Sequence, residues 1–219
     1  GTSRIVAYQP GHESAGIIPP VPATRKQLNK AVEHIVANDP AFAPIVDTSP
    51  PCSLGQGAQN DRDPFEALVQ AVIAQQLSVK AADTITARVT SALNGTINAA
   101  AVNRTPVADF RSAGLSGAKT RTIKGLAEAV DAGVIDLGPT LQDQHDDQIV
   151  GALTSLWGIG RWTVEMFLMF SLHRLDVWPT GDLAMRKGWH IIHGGSGDID
   201  PREIEEAADS LSQIGRAHV

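Results

Sequence analysis

The chain has 219 residues, 42% hydrophobic and 19% charged, which is enough for one sizeable core or two small helical lobes and ordinary for a globular protein. Its one cysteine, Cys52, excludes an intramolecular disulfide and any zinc or iron–sulfur site built on thiolates. The net charge of −6 argues against a uniformly basic surface, but between Arg104 and Lys124 five basic residues stand against one acid, so a basic face is expected. No apolar run reaches membrane-spanning length, and the N-terminus lacks the basic-then-apolar order of a secretory signal, so a reducing, cytoplasmic setting without a membrane is expected.

Residues 1–22 carry Pro and Gly without periodicity and read as an extended arm. Thr24 caps a helix to Ala37, with Leu28, Ala31, Val32, Ile35 and Val36 on one side. A helical turn from Ala41 to Val46 follows, then a Pro/Gly/Ser-rich loop to Asp61. Asp63-Pro64 opens a helix whose apolar positions are Phe65, Leu68, Val69, Val72, Ile73 and Leu77. Gln75-Gln76-Leu77 interrupts it, and Ser78 caps the next helix to Leu93, with Val79, Ala82, Ile85, Thr86 and Val89 inward. Short helices follow at Ala99–Val102 and Pro106–Ala113. Longer ones follow at Gly117–Ala132 and Asp146–Leu156, and another after Gly160 carries Phe167, Leu168 and Phe170. Pro201–Ser210 is an acidic helix. No alternating strand pattern appears, so the fold class is all-α, with about ten helices joined by short loops.

The densest stretch is Leu153–Gly188. Gly158-Ile159-Gly160 joins two helices by a tight turn, with Ile159 plugging the core. The unpaired amides at the start of the second helix form a site suited to a phosphate. Downstream, Asp182 follows a Pro-Thr-Gly turn and begins a helix. Alone it reads as an N-cap; at the lip of a cleft the same carboxylate can be catalytic.

Four stretches carry a family resemblance: DPFEALVQAVIAQQLSVKAADTI (Asp63 to Ile85), GLSGAKTRTIKGLAEAV (Gly114 to Val130), LWGIGRWTVEMFLMF (Leu156 to Phe170) and DVWPTGDLAMRKG (Asp176 to Gly188). In this order they resemble the helix–hairpin–helix DNA glycosylase superfamily, and within it the DNA-3-methyladenine glycosylase II branch. The resemblance extends from Thr24 to Ser210. It implies a two-lobed helical fold with the active site in the cleft between lobes, and hydrolysis of the N-glycosidic bond of alkylated purines after base flipping. Asp182 is the implied catalytic carboxylate. Trp162 and Trp178 are implied walls of the base pocket, where an alkylated, cationic purine is attracted to aromatic faces; both also read as core residues. Gln76 or Leu77 is the implied wedge into the base stack, and Leu77 reads equally as core. Gly158, Gly160 and Trp162 would hold a phosphate through their amides, with Arg161, Lys119 and Arg121 reaching phosphates nearby or lying on solvated helix faces.

No cofactor is required. The resemblance also implies a structural Na+ or K+ at the hairpin, held by carbonyls of Thr154, Leu156 and Ile159. The expected partner is double-stranded DNA containing alkylated bases, met by a monomer in the bacterial nucleoid. Lyase relatives keep a catalytic Lys where Trp162 stands, so a monofunctional enzyme is implied. The cysteines of cluster-bearing relatives and the β domain of the enterobacterial type are missing too, implying a compact form.

The domain expectation is an arm at 1–22, a helical glycosylase domain at 23–213 and a non-native tail at 214–219. The ending QIGRAHV reverse-translates to CAG ATC GGA AGA GCA CAC GTC, which resembles a sequencing adapter, and the family's usual aromatic-rich last helix is missing. Truncation is therefore expected. Two rivals stay open: a non-catalytic helix–hairpin–helix DNA-binding module, against which Asp182 argues, and a glycosylase for uracil, mismatched thymine or oxidised bases.

Overall fold

A computed structural model of the chain describes residues 24–54, 63–195 and 199–211. The arm at 1–22 and the tail at 214–219 lie outside the described residues. Among those described, all regular structure is helical, with eleven α-helices and two 3-10 turns, at Pro40–Phe42 and Pro139–Asp143. Several of the helices begin where polar caps satisfy their free amides. Thr24 forms a capping box with Gln27 ahead of α1 (Arg25–Asn38). Asp63 accepts from the amides of Phe65 and Glu66 at the head of α3 (Pro64–Ala74), after the short α2 (Ala43–Thr48). Ser78 and Ser116 cap α4 (Val79–Ala92) and α7 (Gly117–Asp131), with α5 (Ala99–Arg104) and α6 (Val107–Ser112) between them.

One lobe is built on α3, whose Phe65, Leu68, Val69, Val72 and Ile73 are all buried. These join residues of α4 to α7, α8 (Asp146–Thr154) and α9 (Arg161–Phe170) in a single apolar core that includes Phe110, Ile123, Leu126, Ile149, Leu153 and Phe167. The second lobe brings together the first and last described helices: α1 and α10 (Leu183–Ile192) both pack on α11 (Pro201–Leu211). An aromatic cluster adds to it. Trp189 meets Phe42, Trp178 and His193 at ring-centroid distances of 5.8, 5.9 and 4.2 Å. His193 also pairs with Asp39 at 2.7 Å, tying α10 to the turn after α1.

Three expectations change. The α3 helix stops at Ala74, at the interruption the sequence marked, because Gln75 leaves the helical region (φ −47°, ψ 125°) and Gln76 takes φ of +56°. Leu77 therefore leaves the helical stripe and stands 38% exposed, not in the core. Val79 is also outward, 79% exposed, because the first turn of α4 faces solvent. The helix expected to reach Leu156 stops at Thr154, which leaves Ser155 to Gly160 for the turn into α9.

Lys124 shows how the basic stretch is used. Its Nζ donates to the carbonyls of Val102, Asn103 and Thr105 at 2.7, 3.2 and 2.6 Å, closing the C-terminal end of α5. A cation there satisfies carbonyls that the helix leaves without partners. Lys124→Met is expected to lower stability by about 1–3 kcal/mol, read as a reduced urea midpoint at unchanged slope.

Candidate active site

The hairpin is seated by one glycine. Gly158 has φ of +83°, and a Cβ placed on it would lie 2.0 Å from Thr122 Oγ1 of α7. No other residue type meets both conditions without displacing the Thr122 side chain. Gly160 differs: its φ is −91°, and a Cβ there meets nothing within 4 Å. Its value is an unobstructed approach to the head of α9, not conformational freedom. Ile159 is buried as expected, and its amide donates to the Leu156 carbonyl at 3.2 Å. No side chain caps α9. The amides of Gly160, Arg161 and Trp162 meet no acceptor among the described residues and add to the positive end of the helix dipole.

Asp182 is the N-cap of α10. Its Oδ1 accepts from the Met185 amide at 2.9 Å. The turn before it is tight, with the Asp182 amide donating to the Pro179 carbonyl at 2.8 Å. Its other oxygen, Oδ2, accepts from Trp162 Nε1 at 2.7 Å. That bond crosses from the first lobe to the second, bringing together two residues 20 positions apart in sequence. The Met185 amide holds the carboxyl below the ordinary Asp range, aided by Trp162, the Ala184 amide and the charge of Arg186, while partial burial opposes them. The group is thus an anion at neutral pH. Trp162 is 40% exposed although its ring N–H is engaged, so ring surface stays open beside the carboxylate.

The wedge corner adjoins the hairpin through a residue that sequence reading passed over. Gln75 Nε2 donates to the Gly158 carbonyl at 3.4 Å and to Thr163 Oγ1 at 3.0 Å. Gln76 and Leu77 follow it, both exposed. No periodic signal marks Gln75; only its place at the break between two helices hinted at a role.

The remaining candidates divide. Arg161 is close at hand, its side chain 68% exposed while Nε pairs with the buried Glu165 at 2.8 Å. Arg121 lies over the exposed ring of Trp157, 4.2 Å from its centroid, at the rim of a groove of about 630 Å³ between α6, α7 and the hairpin. Lys119 is turned inward: Nζ donates to the carbonyls of Ile73 and Gln75 at 2.8 and 2.7 Å, and burial lowers its pKa. It serves as a cap for α3 where a phosphate ligand was expected. Trp178 is likewise drawn into second-lobe packing. Its Nε1 donates to the Ile204 carbonyl at 3.1 Å and its ring meets Trp189 edge-on, which engages it apart from the Trp162–Asp182 pair. At the expected cation site, the Leu156 carbonyl already accepts one bond, while those of Thr154 and Ile159 accept none among the described residues.

A two-lobed helical body with a glycine hairpin, an uncapped helix head and a carboxylate across the cleft defines a protein of the helix–hairpin–helix class. The chain belongs to the HhH-GPD superfamily of base excision DNA repair proteins, whose family model matches residues 69–213. It is 37% identical over 137 residues to DNA-3-methyladenine glycosylase 1 of Schizosaccharomyces pombe, an alignment that spans 60% of this chain and 59% of that one. Its fold is similar to a DNA-3-methyladenine glycosidase of Bacillus halodurans, with a TM-score of 0.72, 31% identity and 85% of each chain covered. It is also similar to the S. pombe 3-methyladenine DNA glycosylase in complex with abasic DNA, with a TM-score of 0.69, 30% identity, and 84% and 95% of the two chains covered.

Two outcomes follow from this geometry. Gly158→Ala is expected to destabilise the protein by about 2–4 kcal/mol, through clash and a positive φ, while Gly160→Ala costs under about 1 kcal/mol; thermal denaturation of the pair measures the difference. Because the folded pKa of Asp182 is depressed, its stabilising contribution is present above the unfolded value and is lost as pH falls through the folded one. Trp162→Phe removes one of the bonds that hold it down, so carboxyl NMR titration should show the Asp182 pKa moving up in that variant.

Proposed function

We propose that this chain is a monofunctional DNA glycosylase that hydrolyses the N-glycosidic bond of alkylated purines such as 3-methyladenine in duplex DNA. The observation that carries the reading is the 2.7 Å bond between Trp162 Nε1 and Asp182 Oδ2, which sets an ionised carboxylate against an exposed aromatic ring at the lobe junction.

A stacked base cannot reach such a cleft, so the nucleotide must leave the helix at an unstacking cost of a few kcal/mol. The amides of Gly160, Arg161 and Trp162 would take a phosphate of that strand, with Arg161 and Arg121 adding charge. Leu77, exposed at a rigid corner, would fill the gap in the stack. Alkylation makes the purine cationic, so the open surface of Trp162 attracts it by about 0.5–2 kcal/mol. The same charge makes the base a good leaving group. As the glycosidic bond breaks, its electrons depart with the base and positive charge develops on the sugar. Asp182, fixed by Met185 and Trp162, stabilises that charge without reorganising and accepts the proton of the attacking water. A monovalent cation would be held by the carbonyls of Thr154, Leu156 and Ile159 and would offset phosphate charge at the hairpin. No Lys replaces Trp162, so no Schiff base forms with the sugar.

The test is free-base release from methylated duplex DNA. Wild-type protein is expected to release 3-methyladenine, and Asp182→Asn to reduce the rate at least about 100-fold with DNA affinity retained. Retained excision in that variant would remove Asp182 from the chemistry. DNA binding without any released base would favour a non-catalytic binding module. A covalent product on borohydride treatment would overturn the monofunctional assignment.

A further inference from the structure

The Gln76–Leu77 corner is anchored by bonds that stability of α3 alone does not require. Lys119, from α7, donates to the Ile73 and Gln75 carbonyls, on either side of the last residue of α3. Gln75 then turns its amide the other way, to the Gly158 carbonyl in the hairpin and the Thr163 hydroxyl in the first turn of α9. Gly158 in turn has no clearance from Thr122 on the same α7 helix that bears Lys119. Corner, hairpin and α7 thus close a loop of contacts, each held by the other two. Within it Gln76 keeps φ of +56°, a conformation that is unfavourable for a non-glycine residue and persists where neighbours impose it.

We propose that Lys119 and Gln75 are positioning residues that bolt the Gln76–Leu77 corner to the phosphate-gripping hairpin, so that capture of the backbone and entry into the stack occur as one rigid step. The inference rests on the wedge reading of Leu77. A wedge on a loose corner would yield when pushed against stacked bases; a wedge fixed to the hairpin is driven in by the phosphate contact itself. Lys119 acts through the corner, where two of its three N–H groups are engaged by the Ile73 and Gln75 carbonyls.

The experiment uses a duplex carrying a tetrahydrofuran abasic analogue with 2-aminopurine beside it, and an unmodified duplex of the same sequence. Wild type, Leu77→Ala, Lys119→Met and Gln75→Ala are compared, with circular dichroism confirming that each is folded. Gln75 is only partly buried, so its variant serves if Lys119→Met does not fold. The expected result is loss of the 2-aminopurine fluorescence rise in all three variants. In the two positioning variants, preference for the abasic duplex should fall about tenfold while affinity for the unmodified duplex stays within about twofold. If Leu77→Ala loses the signal but Lys119→Met and Gln75→Ala keep it, the coupling is overturned and the wedge stands. If Leu77→Ala keeps the signal, the wedge reading falls and the coupling with it. If Lys119→Met weakens binding to both duplexes and lowers the salt slope by about one phosphate, Lys119 is a phosphate ligand and the proposal is wrong.

Discussion

The contact between Gly158 and Thr122 governs the site. Glycine lets the hairpin lie so close to α7 that no Cβ would fit between them, and α9 leaves the turn two residues later. That helix carries Trp162 in its first turn, where the ring N–H reaches Asp182 on the other lobe. Thus a steric condition at one backbone atom in the first lobe stands just ahead of the aromatic ring that meets a carboxylate in the second. The bond has two effects: it orients the ring, and it helps keep the acid ionised in a partly buried place.

Electrostatics here depend less on net charge than on which cations are free to act outward. In the basic stretch from Arg104 to Lys124, three of five side chains serve backbone carbonyls inside the fold. Arg111 donates to Leu115, Lys119 to the end of α3, and Lys124 to the end of α5. Arg121 rests on Trp157. The positive potential that faces outward at the hairpin therefore comes chiefly from the uncapped head of α9, beside Arg161, whose side chain is exposed while its Nε pairs with Glu165. An acidic chain can still bind DNA in this way, since oriented amides supply positive potential without a formal charge.

Much of this was legible in sequence because it is local. Helix starts follow capping residues, and Thr24, Asp63 and Ser78 each cap the helix expected of them. The buried faces of α3 and α7 follow 3.6-residue periodicity. Asp182 as an N-cap followed from its turn. What failed was periodicity carried past a break. Leu77 fits the stripe of α3 arithmetically, but Gln76 at positive φ rotates it out of register. Lys119 and Trp178 were left open for another reason. The resemblance implied a phosphate contact for one and a pocket wall for the other, with a solvated face and core packing as the alternatives, and only the tertiary fold brings a backbone carbonyl within hydrogen-bond reach of each.

By itself, then, the sequence determined the helical class, the hairpin turn and Asp182 as a helix cap, because caps, periodicity and turn chemistry act within a few residues; the pairing of that turn with the carboxylate was implied by the family resemblance. Only the tertiary structure decided which glycine is sterically obligatory, which cations remain free for a phosphate, and that Trp162 and Asp182 share a hydrogen bond. Those depend on where α7, α9 and α10 come to rest against one another. That packing is settled by long-range burial and complementarity, which no local pattern encodes.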